Sequence, residues 1–453
     1  MKKSTGIIFL LAAAIAAYVY FYDLKHTKPT DATGDSETAT PSEDASANAK
    51  PAYSLAATDI ATLTVERGGT SASFEQRADG WYMTQPVQTR AEQSVVGAIA
   101  SELGSVRVDR TLTAAPDRMT TYGLATPALT LDFKLKNGTQ HKLQLGAKDF
   151  SGSKVYAIVD GSKDVSLLSD AVLISSDKPV DEFRDQSVLD LDSNSVTSFE
   201  LKNESGAISA KKTDGSWKIE KPRAVAADSG AISSVLGTLG TARIASFVSN
   251  TPDDLAKYGL AQPALTFHAQ LDSGKLADLQ LGKKDGSSYF ARDPSRPFIF
   301  RVQETVHTTM SSKFFELRDK NLIHAEESDI VRAEIHNAKG ATTCVKGPDG
   351  GWVIEQPAAQ KTPAPACPSF WQSLSSARAE DILDAPPAPV TAQLAKPPVQ
   401  VTLTDKSGKK TEIQISAATG NFVYARTNSG PEILKLGKSI LDDLNFAPTG
   451  LHD

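Results

Sequence analysis

Apolar and polar residues alternate over residues 60–65, which read Ile-Ala-Thr-Leu-Thr-Val, and this pattern is typical of a half-buried β-strand. The pair Asp79-Gly80 then predicts a hairpin turn into a further strand. After that strand the apolar residues change to helical spacing and fall on one face, at Val96, Ile99 and Leu103. The segment therefore predicts a β-hairpin region followed by one amphipathic helix.

Strand-like alternation returns after the helix. It covers Leu129–Leu135, Lys142–Leu145 and Val155–Ile158. A short capped turn lies between the helix and these segments. It is clearest further along the chain, at Thr251-Pro252-Asp253-Asp254, where Gly259 supplies a left-handed stop. The order of strands, helix and strands favours an α+β fold with an antiparallel sheet.

The whole pattern recurs along the chain, and a tryptophan marks each copy. Trp81, Trp217 and Trp352 lie 136 and 135 residues apart, and each begins a Trp-x-Met/Ile-x-x-Pro segment. This period exceeds the ~20–50 residues of a solenoid repeat. Each copy is therefore the size of a domain, and we expect separate tandem modules.

Further markers keep the same order in each copy. One is an arginine that follows the predicted helix, at Arg107, Arg243 and Arg378. Another is the Tyr-Gly-Leu-Ala turn, which occurs twice, as Tyr122-Gly123 and Tyr258-Gly259. A third is an Arg-Asp pair before the second and third copies, as Arg184-Asp185 and Arg318-Asp319. These markers indicate duplication of one structural unit.

The markers divide the chain into module 1 at 53–190, module 2 at 191–327 and a degenerate module 3 at 328–453. The recurrent Arg-Asp pair lies at each boundary, so we interpret it as a charge pair across the interface that fixes the angle between modules. The alternative is a solvated ion pair, which contributes only ~0–1 kcal/mol.

The first segment of the chain predicts a membrane anchor. Residues 6–22 are apolar and uncharged, which reaches the lower limit of ~17 residues for a spanning helix. Aromatic residues at the end of the run suit a membrane interface. We expect 1–5 to be a cytoplasmic N-terminus and 6–22 a transmembrane helix. The alternative is a cleaved signal peptide, since Ala14-Ile15-Ala16 resembles a cleavage site.

Composition adds a tether and excludes one class of partner. Residues 23–52 predict a disordered tether, because the stretch from Thr27 to Ala52 holds no aliphatic residue larger than alanine. The whole chain of 453 residues has a net charge of -6. A mildly acidic chain gives no electrostatic basis for binding nucleic acid.

Candidate chemistry is sparse. The seven histidines include no pair at i, i+3 or i, i+4, the spacing that would place two ligands on one helical turn. The segment 190–194 begins like a calcium loop, but Ser195 and Leu201 occupy the places of the required glycine and glutamate. Nucleophile-elbow, phosphate-loop and dinucleotide motifs are lacking. We therefore predict a non-enzyme without cofactor or metal.

The two cysteines form a candidate disulfide. Cys344 lies on an early strand of module 3, and Cys367 takes the helix position held by Val96 and Ile232 in the other copies. Helix and strand of one module should pack together, and an oxidising compartment would permit the bond. Two separate buried thiols are the alternative.

The repeated aromatic and basic residues have structural and binding interpretations. The three tryptophans begin a strand after a hairpin turn, which favours core packing, although tryptophan and arginine also dominate interface hot spots. The arginines at positions 107, 243 and 378 follow a helix, where a cation complements the helix dipole. Both sets are therefore repeated structural or interface residues.

These motifs together resemble a known family. The anchor, the tryptophan strand, the Tyr-Gly-Leu turn, the Leu-Gly step and the Arg-Asp pair are similar to the bacterial domain of unknown function numbered 4340, well over 53–330 and weakly over 330–453. Members of that family look like partners of ABC-type transport systems related to those linked with gliding motility. The resemblance brings no catalytic residues.

The resemblance implies an auxiliary subunit or scaffold in a membrane export complex. Its partner would be an ABC permease or the accessory subunit of that permease. The chain would sit in the inner (cytoplasmic) membrane by a single pass, with its bulk in the periplasm or outside the cell. The alternative function is binding of cell-envelope polymers, which predicts an exposed row of aromatic side chains.

Overall fold

A computed structural model describes residues 49–113, 118–356 and 366–445 of the chain. The predicted cytoplasmic N-terminus, the predicted transmembrane helix at 6–22 and all but the last four residues of the predicted tether lie outside these ranges. Within them, none of the helices combines the length and the apolar character that crossing a bilayer requires. The described ranges hold three antiparallel sheets with few helices, which places the fold in the α+β class.

The first sheet has ten strands. They are β1 (Lys50–Pro51), β2 (Ile60–Arg67), β3 (Thr70–Arg77), β4 (Gly80–Gln85), β5 (Thr89–Arg90), β6 (Arg107–Leu112), β7 (Leu129–Leu135), β8 (Gln140–Lys148), β9 (Lys154–Val159) and β10 (Val165–Ser169). Its order is β1-β6-β10-β9-β8-β7-β2-β3-β4-β5. The helices of this part are α1 (Gln93–Ser105) and α2 (Ala171–Ser176), with 3-10 turns at Ala57–Asp59 and Val180–Phe183.

The second sheet repeats this arrangement with nine strands. They are β11 (Val196–Asn203), β12 (Gly206–Thr213), β13 (Ser216–Lys221), β14 (Val225–Ala226), β15 (Ser246–Ser249), β16 (Leu265–Leu271), β17 (Leu276–Asp285), β18 (Ser288–Arg292) and β19 (Ile299–Gln303). Their order is β14-β13-β12-β11-β16-β17-β18-β19-β15. The helices are α3 (Ser229–Thr241), α4 (Glu304–Met310) and α5 (Phe314–Leu317).

The third sheet has eight strands in the described ranges. They are β20 (Ile330–Asn337), β21 (Gly340–Lys346), β22 (Trp352–Gln356), β23 (Asp381–Leu383), β24 (Val399–Asp405), β25 (Lys410–Ile415), β26 (Phe422–Thr427) and β27 (Ile433–Gly437). Their order is β22-β21-β20-β24-β25-β26-β27-β23. The helices are α6 (Ala366–Ser376), α7 (Ala388–Gln393) and α8 (Ser439–Leu444), with a 3-10 turn at Glu327–Asp329.

The three sheets share one plan. The early hairpin strands form one half, and the strands after the long helix form the other half, so that β2 lies beside β7, β11 beside β16 and β20 beside β24. The long helix of each copy carries the chain from one edge of its sheet to the other. Its predicted apolar face is fully buried, as at Val96, Ile99 and Leu103. Burying such a face provides most of the stability of a helix in a protein.

The change from one core to the next falls earlier than the sequence repeats predicted. Phe183 packs in the first core, whereas Val188 and Leu189 pack in the second. Leu317 packs in the second core, and Leu322 and Ile323 pack in the third. The boundaries drawn at 190 and 327 therefore differ from the packing by several residues. The apolar pair after each Arg-Asp is the first core contribution of the following module.

Candidate functional site: the joints between the modules

The linker between modules 1 and 2 is hydrogen-bonded to both of them through the backbone. One backbone bond holds the linker to module 1, from Asp185 N to Arg90 O at 3.0 Å, beside the bond from Glu92 N to Phe183 O at 2.8 Å just before the linker. Two hold it to module 2, from Val188 N to Ala242 O at 2.9 Å and from Ile244 N to Gln186 O at 2.7 Å. The linker therefore acts as a short strand between the modules. We call residues 184–188 joint 1.

Residues 318–322 form joint 2 with the same bonds at equivalent positions. Its backbone bonds run from Asp228 N to Leu317 O, from Asp319 N to Ala226 O, from Leu322 N to Ala377 O and from Ala379 N to Lys320 O, at 2.8 to 3.0 Å. Isolated bridges pair Ser187 with Arg243 in joint 1 and Asn321 with Arg378 in joint 2. One joint geometry therefore occurs twice.

Arg184 is the buried centre of joint 1. Its side chain is only 2% exposed and its guanidinium lies 3.6 Å from the ring centroid of Phe247 and 4.7 Å from that of Phe298, both in module 2. Nη1 donates to Asp181 of module 1 and to Asn250 of module 2, each at 3.0 Å. Burial lowers the pKa of this guanidinium, and Asp181 opposes that shift. Arg184 thus contacts both modules through one side chain.

Arg318 has the corresponding place in joint 2. Its side chain is 6% exposed, and Nη1 donates to both carboxylate oxygens of Asp384 in module 3, at 2.9 and 3.1 Å. Arg223 of module 2 also pairs with Asp384. In both joints the partner across the interface lies 66 residues after the arginine. A carboxylate therefore replaces the amide of Asn250 at the second joint.

The arginines that follow the long helices reach the preceding part of the chain. Arg243 Nη2 donates to Glu92 at 2.7 Å, and Arg378 pairs with Asp228. Glu92 and Asp228 are the N-cap residues of the preceding modules' long helices. The sequence interpretation of these arginines as partners of their own helix dipole therefore misses their main contact, which joins one module to the next.

Arg107 makes the equivalent contact in module 1 with the incoming chain. Its Nε donates to the Ala49 carbonyl at 2.9 Å, and Pro51 pairs with Arg107 as Ser187 and Asn321 pair with their arginines. Ala52 N donates to Val106 O at 2.9 Å, as Val188 does to Ala242. Module 1 therefore includes residues 49–52, which precede the predicted boundary at 53, and these residues follow the path of a linker.

The aspartates of the Arg-Asp pairs bind locally, away from the adjacent arginine. Asp185 accepts from Ser187, and Asp319 accepts from the Asn321 amide at 2.8 Å and pairs with His324. Burial acts to raise the pKa of Asp319, but the bonds from His324 and Asn321 outweigh it and lower that pKa. The bond to Asp319 raises the pKa of His324, against the effect of burial. The ion pair therefore stabilises the fold below the ordinary imidazole pKa of 6.5 and above the ordinary carboxyl pKa of 3.8.

The other repeated residues are structural. Trp81, Trp217 and Trp352 are 5%, 7% and 4% exposed and belong to the three cores. Core packing, rather than contact with a ligand, is therefore the role of their rings.

The Tyr-Gly turns brace the second half of modules 1 and 2. The backbone carbonyl of Tyr122 accepts a hydrogen bond from Ala147 N at 2.8 Å, and that of Tyr258 accepts one from Lys283 N at 2.9 Å. Gly123 has a φ of 68°, and a Cβ there would lie 2.7 Å from the Ala147 nitrogen. Gly259 has a φ of 72° and an equally close neighbour. Glycine is thus required for both its left-handed backbone and its close approach to the next strand.

Cys344 and Cys367 are joined by a disulfide with a Cα–Cα distance of 6.3 Å. It links β21 to α6, both fully buried at these positions. At the equivalent helix positions, Val96 and Ile232 are buried in the cores of the other two modules.

A cleft lies beside each joint, between the linker and the end of the following sheet. The first cleft, beside joint 1, has a volume of about 430 Å³ and includes Arg90, Asp185, Lys275, Asp293 and Arg296 in its walls. The second cleft, beside joint 2, has a volume of about 600 Å³ and includes Asp319, His324, Lys409, Gly430 and Glu432. Sequence patterns missed Arg296, Gly430 and His324, because none of them belongs to a repeated motif.

The fold and joints define this chain as a tandem α+β protein whose modules are connected by one recurrent joint. The family model described as Domain of unknown function (DUF4340) matches residues 81–218 and 217–397, and the chain belongs to that family. Each match begins in a tryptophan strand and includes one complete joint, so the matched unit straddles two modules. No curated protein matches the chain.

Proposed function

We propose that the chain is a membrane-anchored extracytoplasmic scaffold or auxiliary subunit of an ABC-type transport or export complex. The anchor is the apolar segment 6–22, and the modules lie in the periplasm or outside the cell. The observation that carries the proposal is the recurrent joint. Arg184 and Arg318, each buried and bonded across an interface, hold successive modules at set angles.

A set angle suits a scaffold better than a flexible chain of binding domains. Removing a guanidinium from water is expensive, and the expense is offset only while both modules supply their partners. Joint 1 supplies Asn250 and two phenylalanine rings, and joint 2 supplies Asp384. A protein that holds a permease and its accessory subunit at a fixed separation needs such joints.

The alternative of polymer binding has less support. That function predicts an exposed row of aromatic side chains, and the repeated tryptophans were the candidates for such a row. They are buried in the three cores. No other observation in the described ranges favours a glycan surface.

The test is recovery of a permease from membranes by the tagged full chain. We expect an ABC-type permease, identified by mass spectrometry, to co-purify with the wild-type chain from the inner-membrane fraction. The double variant Arg184→Ala, Arg318→Ala should reduce that recovery at least about fivefold, because it loosens both joints. Arg110→Ala, at an exposed position, is the matched control and should not change it. Recovery of the wild-type chain only as a free monomer would contradict the proposal.

A further inference from the structure

The first cleft already contains a bound cation, which the chain itself provides. Arg296 is 14% exposed and extends along the linker of joint 1. Its Nη1 donates to the Ser187 carbonyl at 2.8 Å, and Nη2 donates to the Val188 carbonyl. Its Nε donates to Asp293 at 3.1 Å, and Asp185 lies 3.9 Å away. The linker carbonyls and the nearby carboxylates thus form a receptor for one guanidinium.

Aromatic rings complete that receptor. The guanidinium carbon of Arg296 lies 5.3 Å from the centroid of Phe298 and 5.6 Å from that of Phe300. A guanidinium near a ring face gains cation–π attraction in addition to its hydrogen bonds.

The second cleft keeps the two linker carbonyls and the aspartate of this receptor, changes its other three groups, and lacks the arginine. Gly430 is the counterpart of Arg296, because each lies three residues before the next strand, β27 for Gly430 and β19 for Arg296. The counterparts of the six groups around Arg296 are Asn321, Leu322, Asp319, Thr427, Glu432 and Leu434, and all six line the second cleft. The space that the guanidinium fills at joint 1 is therefore open at joint 2, which agrees with the larger volume there.

The open site keeps two carboxylates but loses the internal cation, because Thr427 stands in place of Asp293 while Gly430 stands in place of Arg296. Glu432 replaces Phe298, and a Cβ on residue 430 would meet the Glu432 carboxylate. That carboxylate therefore lies where an arginine side chain would leave the backbone. The carbonyls of Asn321 and Leu322, which correspond to the two acceptors of Arg296, receive no hydrogen bond from the described part of the chain.

The remaining charges of the second cleft also favour a cation. Five carboxylates line it, belonging to Asp319, Glu326, Asp329, Asp405 and Glu432. The basic groups there are Arg318, His324 and Lys409. Arg318 is already paired with Asp384, and His324 is paired with Asp319. The carboxylate of Glu432 and the two linker carbonyls are left to accept donors.

We infer that the second cleft binds an arginine side chain of a partner polypeptide, which takes the place that Arg296 fills in the first cleft. This inference rests on the proposed function, since it names how the scaffold recognises its partner. Arginine suits the site better than lysine, because the receptor at joint 1 uses three nitrogens of one planar group.

The test is titration calorimetry of the full chain with a blocked heptapeptide of glycine and serine that has one central arginine. We expect one binding site and at least about tenfold weaker binding of the lysine version. Glu432→Gln should weaken binding about tenfold while leaving the cavity open. Gly430→Arg should abolish binding, because the new side chain fills the cleft as Arg296 fills its own.

Matched variants keep the test independent of folding. Gly97→Arg adds the same charge on the surface of α1, where a Cβ has no neighbour within 4 Å, and should bind like the wild type. Arg296→Gly should open the first cleft and add a second, weaker site. Thermal unfolding of each variant checks that the modules remain folded.

Unchanged binding to Gly430→Arg, or absence of binding to the wild type, would overturn the inference. Equal affinity for N-acetylarginine amide would also overturn it, because a small guanidinium compound would then be the occupant. Permease recovery separates the two proposals. Recovery that persists with Gly430→Arg leaves the scaffold function standing and contradicts the cleft. Peptide binding that Gly430→Arg abolishes, without permease recovery, supports the cleft and removes the scaffold.

Discussion

At the scale of single residues, the joints depend on two buried arginines whose partners the sequence could not reveal. The Arg-Asp pairs were recognisable because they recur, and their place at the boundaries was predicted. The prediction named no partners for the charge pair; across the interface Arg318 bonds the carboxylate of Asp384, whereas Arg184 bonds the neutral amide of Asn250. Those partners lie 66 residues away on a different module, where no local pattern marks them.

Arg184 gives a direct test of the geometry at joint 1. Arg184→Lys keeps the charge but loses the planar group between Phe247 and Phe298 and one of its two acceptors. We expect it to lower the free energy of unfolding of the affected modules by about 2 kcal/mol. Urea denaturation followed by tryptophan fluorescence measures the change.

Arg110→Lys is the control for that substitution, because Arg110 is exposed on β6. Its effect should stay within about 0.5 kcal/mol. Equal effects of the two substitutions would show that the stacking of Arg184 contributes nothing to stability.

At the scale of elements, the hairpins and the long helices follow from the sequence, because each is specified by its own periodicity. The helix faces predicted at Val96, Ile99 and Leu103 and at their counterparts are confirmed by complete burial. The short strands β5 and β14 were not predicted, since two residues give no periodicity and their pairing depends on the neighbouring strand. The linkers were missed as strands for the same reason.

The disulfide between β21 and α6 offers a prediction at this scale. It closes a loop of 23 residues, which corresponds to about 3 kcal/mol of unfolded-state entropy. The double variant Cys344→Ala, Cys367→Ala should therefore unfold about 3 kcal/mol more easily in module 3. Differential scanning calorimetry should show the loss in one transition only.

Reduction provides the comparison for the cysteine variant. A wild-type chain treated with dithiothreitol under denaturing conditions and refolded in it should match the double variant. A variant as stable as the oxidised wild type would mean that the cross-link adds no stability to module 3.

At the scale of the whole molecule, the repeats predicted three modules, and the structure adds that one joint orients them twice. A repeat pattern identifies copies but does not describe their relative placement. That placement depends on contacts such as Arg243 with Glu92 and Arg378 with Asp228, each about one repeat apart. The clefts were not predicted either. Each lies between a linker and the end of the following sheet, so it depends on how separate parts of the chain are placed.

Set angles predict a narrow distribution of distances between modules 1 and 3. Spin labels at the exposed positions Ser101 and Asp442 report it by double electron–electron resonance. We expect a single narrow peak for the wild type. Arg184→Ala with Arg318→Ala should broaden the peak, because each substitution removes the side chain that bonds across a joint. A broad wild-type distribution would contradict the orienting role of the joints.

The path of residues 49–52 has a mechanical consequence. These residues pair with Arg107 as the linker of joint 1 pairs with Arg243. A pulling force applied upstream of module 1 therefore reaches it through the same kind of attachment that joins one module to the next. The three attachments bear tension in series. Within the described residues the first has a two-residue strand, the bond from Ala52 N to Val106 O and the contact of Arg107 with the Ala49 carbonyl, and Ala49 stands where Asp185 stands in joint 1. It should yield first and lengthen the chain by a few residues while every module stays folded.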